Sequence, residues 1–183
     1  AEGVLAGRQA ADEVMAQVDP QITCDWRIGD GDEVHAGQSI ARLDGAARSL
    51  LTAERSMLNF LGRLSGVATL TRRYAAAVAG TGAVIAHTRK TTPGLRALEL
   101  QAVRAGGGAS HRFGLDDAIL IKDNHVAVCG GVGEAVRRAK AFAGHMTRVA
   151  VEVDRLDQLG DAMEAGAESV LLDNFSLEDL RKA

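Results

Sequence analysis

Aromatic residues make up only 3% of this 183-residue chain. That scarcity argues against a base-stacking nucleic-acid platform, which needs ring faces. An excess of one charge is lacking too: 21 basic against 24 acidic residues leave a net charge of −3. No polyanion partner is implied, and any anion site must be a local concentration of positive charge. The two cysteines, Cys24 and Cys129, lie far apart and in no metal-ligand spacing. They read as reduced structural thiols of a cytoplasmic protein. No apolar run approaches the roughly 18 residues of a membrane helix, and no basic-then-apolar signal segment opens the chain. Position 1 is Ala rather than Met, so a processed or truncated start is expected.

Hydrophobic residues are plentiful at 46%, enough for a packed core. Their spacing divides the chain in three. Residues 1–50 read as a small sheet with tight turns and one helix. The helix runs from Gln9 to Val18 and Pro20 ends it. Ile22 to Ile28 alternates like a strand, Gly29-Asp30-Gly31-Asp32 signals a turn, and Ser39 to Leu43 is a second short strand. Residues 51–80 form a linking helix. Leu50, Leu51, Met57, Leu58, Leu61, Leu64 and Val67 follow helical spacing, and Gly62 and Gly66 mark a weak point, a break or close packing.

Residues 81–183 repeat a β-α unit. The apolar runs are Ala83–His87, Ala118–Lys122, Arg148–Val153 and Ser169–Asp173. Helical stretches follow each of them, at Leu95–Ala105, Gly133–Ala143, Leu156–Ala165 and from Leu177. Continuous apolar strands alternating with helices predict a parallel sheet covered by helices. The second and fourth runs end alike, in Lys122-Asp123-Asn124 and Leu172-Asp173-Asn174, as successive units of a barrel would. Four units are too few to close one, because a complete barrel takes about 250 residues. The chain therefore reads as a fragment.

In such folds the reactive groups sit at the C-terminal ends of the strands. Thr88-Arg89-Lys90 follows the first run, His111-Arg112 precedes the second, Lys122 ends it, Glu152 lies within the third, and Asp173 ends the fourth. On the third strand Val149, Val151 and Val153 share one face, which should meet the helices, and Glu152 shares the other. If Arg89, Lys90, Arg112 and Lys122 converge, two carboxylates cannot neutralise four cations, and a bound anion is the natural complement. Taken singly, each of these charges could instead be solvated, or Glu152 and Asp173 could be salt-bridge partners of Lys122 and Arg112. His111 alone would be an ordinary loop histidine. Arg55, on the long helix, reads by pattern as a surface charge. The glycine runs at 106–108 and 130–133 lack the Gly-Lys-Ser/Thr of a phosphate loop and are read as flexible loop or helix start.

The ordered strings Thr88-Arg89-Lys90-Thr91-Thr92-Pro93-Gly94-Leu95-Arg96 and Ile121-Lys122-Asp123-Asn124-His125 carry a resemblance. With them go Glu54-Arg55-Ser56-Met57-Leu58-Asn59-Phe60-Leu61, Gly106-Gly107-Gly108 with His111-Arg112, Val151-Glu152-Val153 and Leu172-Asp173-Asn174. Together these segments resemble the quinolinate phosphoribosyltransferases along nearly the whole chain. The resemblance implies an α/β protein, a small N-terminal α/β sandwich plus an incomplete open α/β barrel, cut at both ends here. It implies transfer of phosphoribosyl from phosphoribosyl pyrophosphate to quinolinate with decarboxylation, giving nicotinate mononucleotide for NAD biosynthesis, with Mg²⁺ required.

Carried over by residue, Arg89, His111, Arg112 and Lys122 resemble the quinolinate carboxylate site, with Thr88 beside them and Lys90 reaching substrate or phosphate. Glu152 and Asp173 resemble the ribose and metal-diphosphate carboxylates, and Lys122, Glu152 and Asp173 are the catalytic candidates. Arg55 resembles an arginine lent to a neighbouring subunit, which implies a dimer or larger. The family usually has Asp before the Thr-Arg-Lys run and Asn before His-Arg, where this chain has His87 and Ser110. Its glycine-rich 5′-phosphate loops fall beyond residue 183, so the chain alone is expected to be weakly active or inactive. Three other readings compete. One is a related phosphoribosyltransferase for another acid such as nicotinate. The second is an inactive fragment with a structural role. The third, a biotinyl or lipoyl carrier, fails because residues 1–50 contain no lysine.

Overall fold

The computed structural model describes residues 2–183. In chain order the elements are β1 (Gly3–Val4), α1 (Arg8–Val18), β2 (Thr23–Trp26), β3 (Glu33–Val34), β4 (Ala41–Asp44), α2 (Ala47–Ala77) and α3 (Arg96–Ala105). There follow β5 (Ile119–Ile121), α4 (Asp123–Cys129), α5 (Val132–Phe142), β6 (Val149–Val153), α6 (Leu156–Glu164), β7 (Ser169–Leu172) and α7 (Leu177–Lys182). The chain forms two compact units, one ending at His111 and the other running Arg112–Ala183. No helix among the described residues is long and apolar enough to cross a membrane.

In the first unit β1 pairs with β3 and β2 with β4, both antiparallel. Gly7 enters α1 in the left-handed region at φ 103°. A Cβ there would lie 2.7 Å from Leu64 Cδ1, so glycine is required on two counts. The Gly29–Asp32 turn also caps this helix. Its Asp30 carboxylate accepts the Gly7 and Arg8 N–H groups at 3.2 Å, placing an anion at the start of α1.

Helix α2 is unbroken for 31 residues. Its buried stripe is Ala53, Met57, Leu61, Leu64, Ala68 and Thr71, spaced for one helical face. Leu51 and Leu58, expected on that face, are 73% and 42% exposed instead. Gly62 and Gly66 mark neither a break nor close packing, since a Cβ at either meets nothing within 4 Å. The stripe feeds two clusters, one around Leu64, Ala68, Val4 and Ala102, the other around Met57, Leu61, Leu5 and Met15.

The second unit carries the parallel sheet, in the order β5-β6-β7. Val149, Val151 and Val153 are buried against Val132, Ala135 and Val136 of α5 and Ala162 of α6, as the alternation predicts. Helix α4 is an addition to the expected elements. Its start is marked by the Lys122 N–H donating to His125 Nδ1 at 3.0 Å, its end by Gly130 in the left-handed region at φ 82°.

The expected first strand, Ala83–His87, needs correcting. It makes only an isolated parallel bridge, Ala86 with Ala109, through Ala109 N–H to Ile85 O at 2.7 Å and His87 N–H to Ala109 O at 3.3 Å. An apolar run becomes a strand only where a neighbour offers a ladder, and among the described residues a single position does so. The flexible-loop reading of Gly106–Gly108 is corrected too. A Cβ on Gly106 would collide with the Ala68 carbonyl oxygen, and one on Gly108 would lie 2.6 Å from Val103 Cγ1. These glycines let the end of α3 pack closely on α2, and Arg72 holds that end by donating to the Ala105 and Gly106 carbonyls at 3.2 Å.

Candidate functional site

The loop Thr88–Pro93 has no regular structure of its own, so polar contacts must fix it. Glu99, on the first turn of α3 and 7% exposed, is its anchor. Its carboxylate accepts the Thr92 N–H at 3.0 Å and the Thr92 hydroxyl at 2.7 Å. Arg63 of α2 donates to the same carboxylate at 2.7 Å and to the Thr92 hydroxyl at 2.8 Å. Burial acts to raise the Glu99 carboxyl, but the Thr92 and Arg63 hydrogen bonds outweigh it and hold the group below its ordinary value. Two further contacts order the loop: Lys90 N–H to the Thr88 hydroxyl at 3.1 Å and Arg96 Nε to the Thr91 hydroxyl at 3.3 Å.

Within this loop Thr88 and Lys90 are exposed and Arg89 is half-buried. The Arg89 Nε is buried without a hydrogen-bond partner among the described residues. A buried guanidinium donor left unpaired is costly, and an anion would satisfy it. His111, the last residue of this unit, presents an exposed side chain. Arg55 is exposed on α2, on the same face as the exposed Leu51 and Leu58.

In the second unit Arg112 donates to the Ala118 carbonyl at 3.3 Å. The turn after it is closed by Asp117, which accepts the Phe113 N–H at 2.5 Å and the Gly114 N–H at 3.2 Å. Those bonds, Phe113 foremost, hold the Asp117 carboxyl below its usual value. The sheet register sets Ile121 beside Val151, so Lys122 and Glu152 fall at the same height. They pair at 3.1 Å, with the Glu152 side chain only 16% exposed. Asp173 follows β7, its N–H bonded to the Val153 carbonyl at 2.9 Å. Glu152 and Asp173 line one cavity of about 410 Å³ together with Asp123, Asp154, Gln158 and Asn174.

The predicted residues thus fall into two sets of opposite character. Arg89, Lys90, Thr88 and His111 belong to the first unit's loops, and Lys122, Glu152 and Asp173 to the second unit's strand ends, where carboxylates dominate. The Lys122–Glu152 pair means that an internal salt bridge already uses one predicted cation. Arg112 and Asp173, the other pair considered, are not bonded to one another in any described contact. Among the described residues no cluster of three or more His, Cys, Asp or Glu could hold a metal by itself. Pattern reading missed Glu99, Arg63 and Asp117. Glu99 carried a signal: it falls among the buried apolar positions of α3, Leu100 and Ala102, where an unpaired carboxylate would be costly.

The sequence profile of the "Quinolinate phosphoribosyl transferase, N-terminal domain" matches residues 1–65, and that of the C-terminal domain matches residues 67–183. The chain is 46% identical over 180 residues to the "Probable nicotinate-nucleotide pyrophosphorylase [carboxylating]" of Bacillus subtilis, covering 98% of this chain and 62% of that one. It is 48% identical over 177 residues to the "Nicotinate-nucleotide pyrophosphorylase [carboxylating]" of Mycobacterium leprae, covering 94% and 61%. Among solved structures, NadC from Streptococcus pyogenes superposes with a TM-score of 0.93 at 43% identity, covering 99% of this chain and 64% of that one. The nicotinate-nucleotide pyrophosphorylase from Francisella tularensis gives 0.94 at 45% identity, covering 98% and 64%. The chain therefore spans less than two thirds of the length of the relatives it matches. With both domain profiles matched end to end along it, this chain belongs to the quinolinate phosphoribosyl transferase family.

Proposed function

We propose that the protein carrying this chain transfers phosphoribosyl from phosphoribosyl pyrophosphate to quinolinate and releases carbon dioxide, forming nicotinate mononucleotide for NAD biosynthesis. The observation that carries this reading is the unpaired, buried Arg89 Nε in a loop pinned by Glu99, within a family whose relatives bear the carboxylating name. Quinolinate presents two adjacent carboxylates, the shape that guanidinium forks recognise. By the family resemblance Arg89, with Thr88, Lys90 and His111 of the first unit, takes a carboxylate-binding role, as does Arg112 of the second, where Lys122 is paired with Glu152 at 3.1 Å.

The ring nitrogen attacks the ribose carbon as the bond to pyrophosphate breaks, and pyrophosphate leaves with the electron pair. Positive charge develops on the ribose, and Glu152 and Asp173 are suited to stabilise it. The ring nitrogen is then cationic. It accepts the electron pair left when the adjacent carboxylate departs as carbon dioxide, and the ring carbon takes up a proton. Mg²⁺ would be held by Glu152 and Asp173 together with diphosphate oxygens and water, in keeping with its habit of using one or two carboxylates plus substrate phosphates. Bound there, it would neutralise charge on the leaving diphosphate.

Arg55 acts in a neighbouring subunit's site, so the working protein is at least a dimer. The exposed Leu51 and Leu58 that flank it on α2 support a protein–protein face there. The compartment is the cytoplasm. The test is an assay of the full-length protein with both substrates and Mg²⁺, following carbon dioxide and pyrophosphate. Equal amounts of the two products are expected. Pyrophosphate without carbon dioxide would mean transfer or hydrolysis without decarboxylation and would contradict the reading. Neither product with quinolinate would overturn it, and pyrophosphate release with nicotinate in its place would point to a related transferase for a monoacid.

A further inference from the structure

We propose that His87 is a positioning residue for the His111–Arg112 segment, and that it acts only as a neutral imidazole whose Nε2 accepts the His111 backbone N–H. The inference rests on the diacid-site reading above, in which this segment binds a substrate carboxylate.

The geometry is local. His87 is 8% exposed, and the His111 N–H donates to its Nε2 at 3.1 Å. From Ser110 to Gly114 the chain has neither helix nor strand to hold it. What fixes its start is the single bridge between Ala86 and Ala109, the Arg104 Nε to Ser110 hydroxyl bond at 2.9 Å, and this imidazole. Removing the imidazole takes away the protein acceptor of the His111 amide, at the point where the candidate anion-binding side chains leave the backbone.

The protonation state follows from the contact. A nitrogen that accepts a hydrogen bond carries no proton, so the neutral ring must hold its proton on Nδ1. That Nδ1 is buried with no full hydrogen-bond partner among the described residues and only a backbone contact at Thr88, so the bond to His111 is the main one orienting the ring. Protonating Nε2 would turn it into a donor facing another donor, and the contact would break. Burial foremost, then His111 and Arg104, push the imidazole below its ordinary value of 6.5, while a backbone contact at Thr88 pulls the other way. Burial and two basic neighbours together favour the neutral, accepting form at neutral pH.

The experiment compares wild type, His87→Gln and His87→Ala in the full-length protein. Quinolinate affinity is measured by calorimetry between pH 8 and 5.5, and exchange protection of the His111 amide is followed without ligand. The glutamine carboxamide oxygen can accept the same N–H and does not titrate. At pH 7.5 the glutamine variant should bind within a few-fold of wild type and the alanine variant roughly tenfold more weakly, the loss of about one hydrogen bond. Because the folded imidazole titrates below its ordinary 6.5, wild type should lose affinity and His111 protection relative to the glutamine variant only toward the acid end of the range. Titration of the ligand and of every other group is common to both, so their difference reports His87. Should the alanine variant not fold, the comparison of wild type with glutamine decides alone. Superimposable pH curves for these two, or an alanine variant that binds like wild type, would overturn the proposal while leaving the diacid reading standing. A wild-type protein that binds no quinolinate at any pH would remove both.

Discussion

The loop at residues 87–93 and the strand ends of the second unit solve one problem by opposite means. Both must hold charged groups in place. The loop has no sheet behind it and is fixed by buried polar contacts: Glu99 to Thr92 and Arg63, and His87 to the His111 amide. The strand ends are fixed by packing. Glu152 and Asp173 sit on or after strands whose other face is the valine row of β6 under α5 and α6. The difference teaches where each region is fragile. The loop should respond to loss of a hydrogen bond and to acid, the strand ends to loss of volume.

The largest expected effect comes from the loop's exit. Arg89→Ala should weaken quinolinate binding by 100-fold or more, about 3 kcal/mol, with little change in thermal stability. Calorimetry and a melting curve on the same sample check it. A fall in stability that matches the fall in affinity would show that Arg89 serves the fold rather than the ligand. Val151→Ala probes the packed region. Val151 is fully buried, so lost burial plus the residual cavity should cost about 2–3 kcal/mol in urea unfolding.

Glu99→Gln probes the pinned region and should cost about 1.5–2 kcal/mol, the worth of charge-assisted hydrogen bonds. Here stability and function should fall together, with KM for quinolinate rising more than kcat falls. The pH response has a definite sign. Glu99 lies below its ordinary 4.5 in the folded chain, so its contribution is complete above that pH and fades as pH drops through the folded value. His87, also depressed, favours the folded state above 6.5 and loses that contribution as pH falls below it. The first unit should therefore lose amide-exchange protection on acidification before the second does. The smallest effect is a gain. Gly160 lies within α6, exposed, with nothing within 4 Å of an added Cβ, so Gly160→Ala should stabilise by roughly 0.5–1 kcal/mol.

Much of the packed region was legible in the sequence. The alternation in Val149–Val153 gave the strand, its buried face and the outward Glu152, because successive side chains of a strand point to opposite faces. The longer helices of the second unit, α5 and α6, were equally plain, whereas α4, at seven residues, was too short to show a periodicity. The pinned region was harder. Ala83–His87 has the composition of a strand, but a strand also needs a neighbour, and composition says nothing of neighbours. Arg89 stood out by its motif, whereas Glu99 did not, because its role depends on reaching back seven residues to Thr92. Gly106–Gly108 looked like a loop for the same reason: the close approach of α2 that demands those glycines is a tertiary fact.

On the proposed function, Arg89 belongs to a site built for two adjacent carboxylates. Calorimetry of the full-length protein with quinolinate and, separately, with nicotinate tests it most directly. Quinolinate should bind at least tenfold more tightly, since nicotinate leaves one cationic group unanswered. Equal affinity for the two acids would contradict the account.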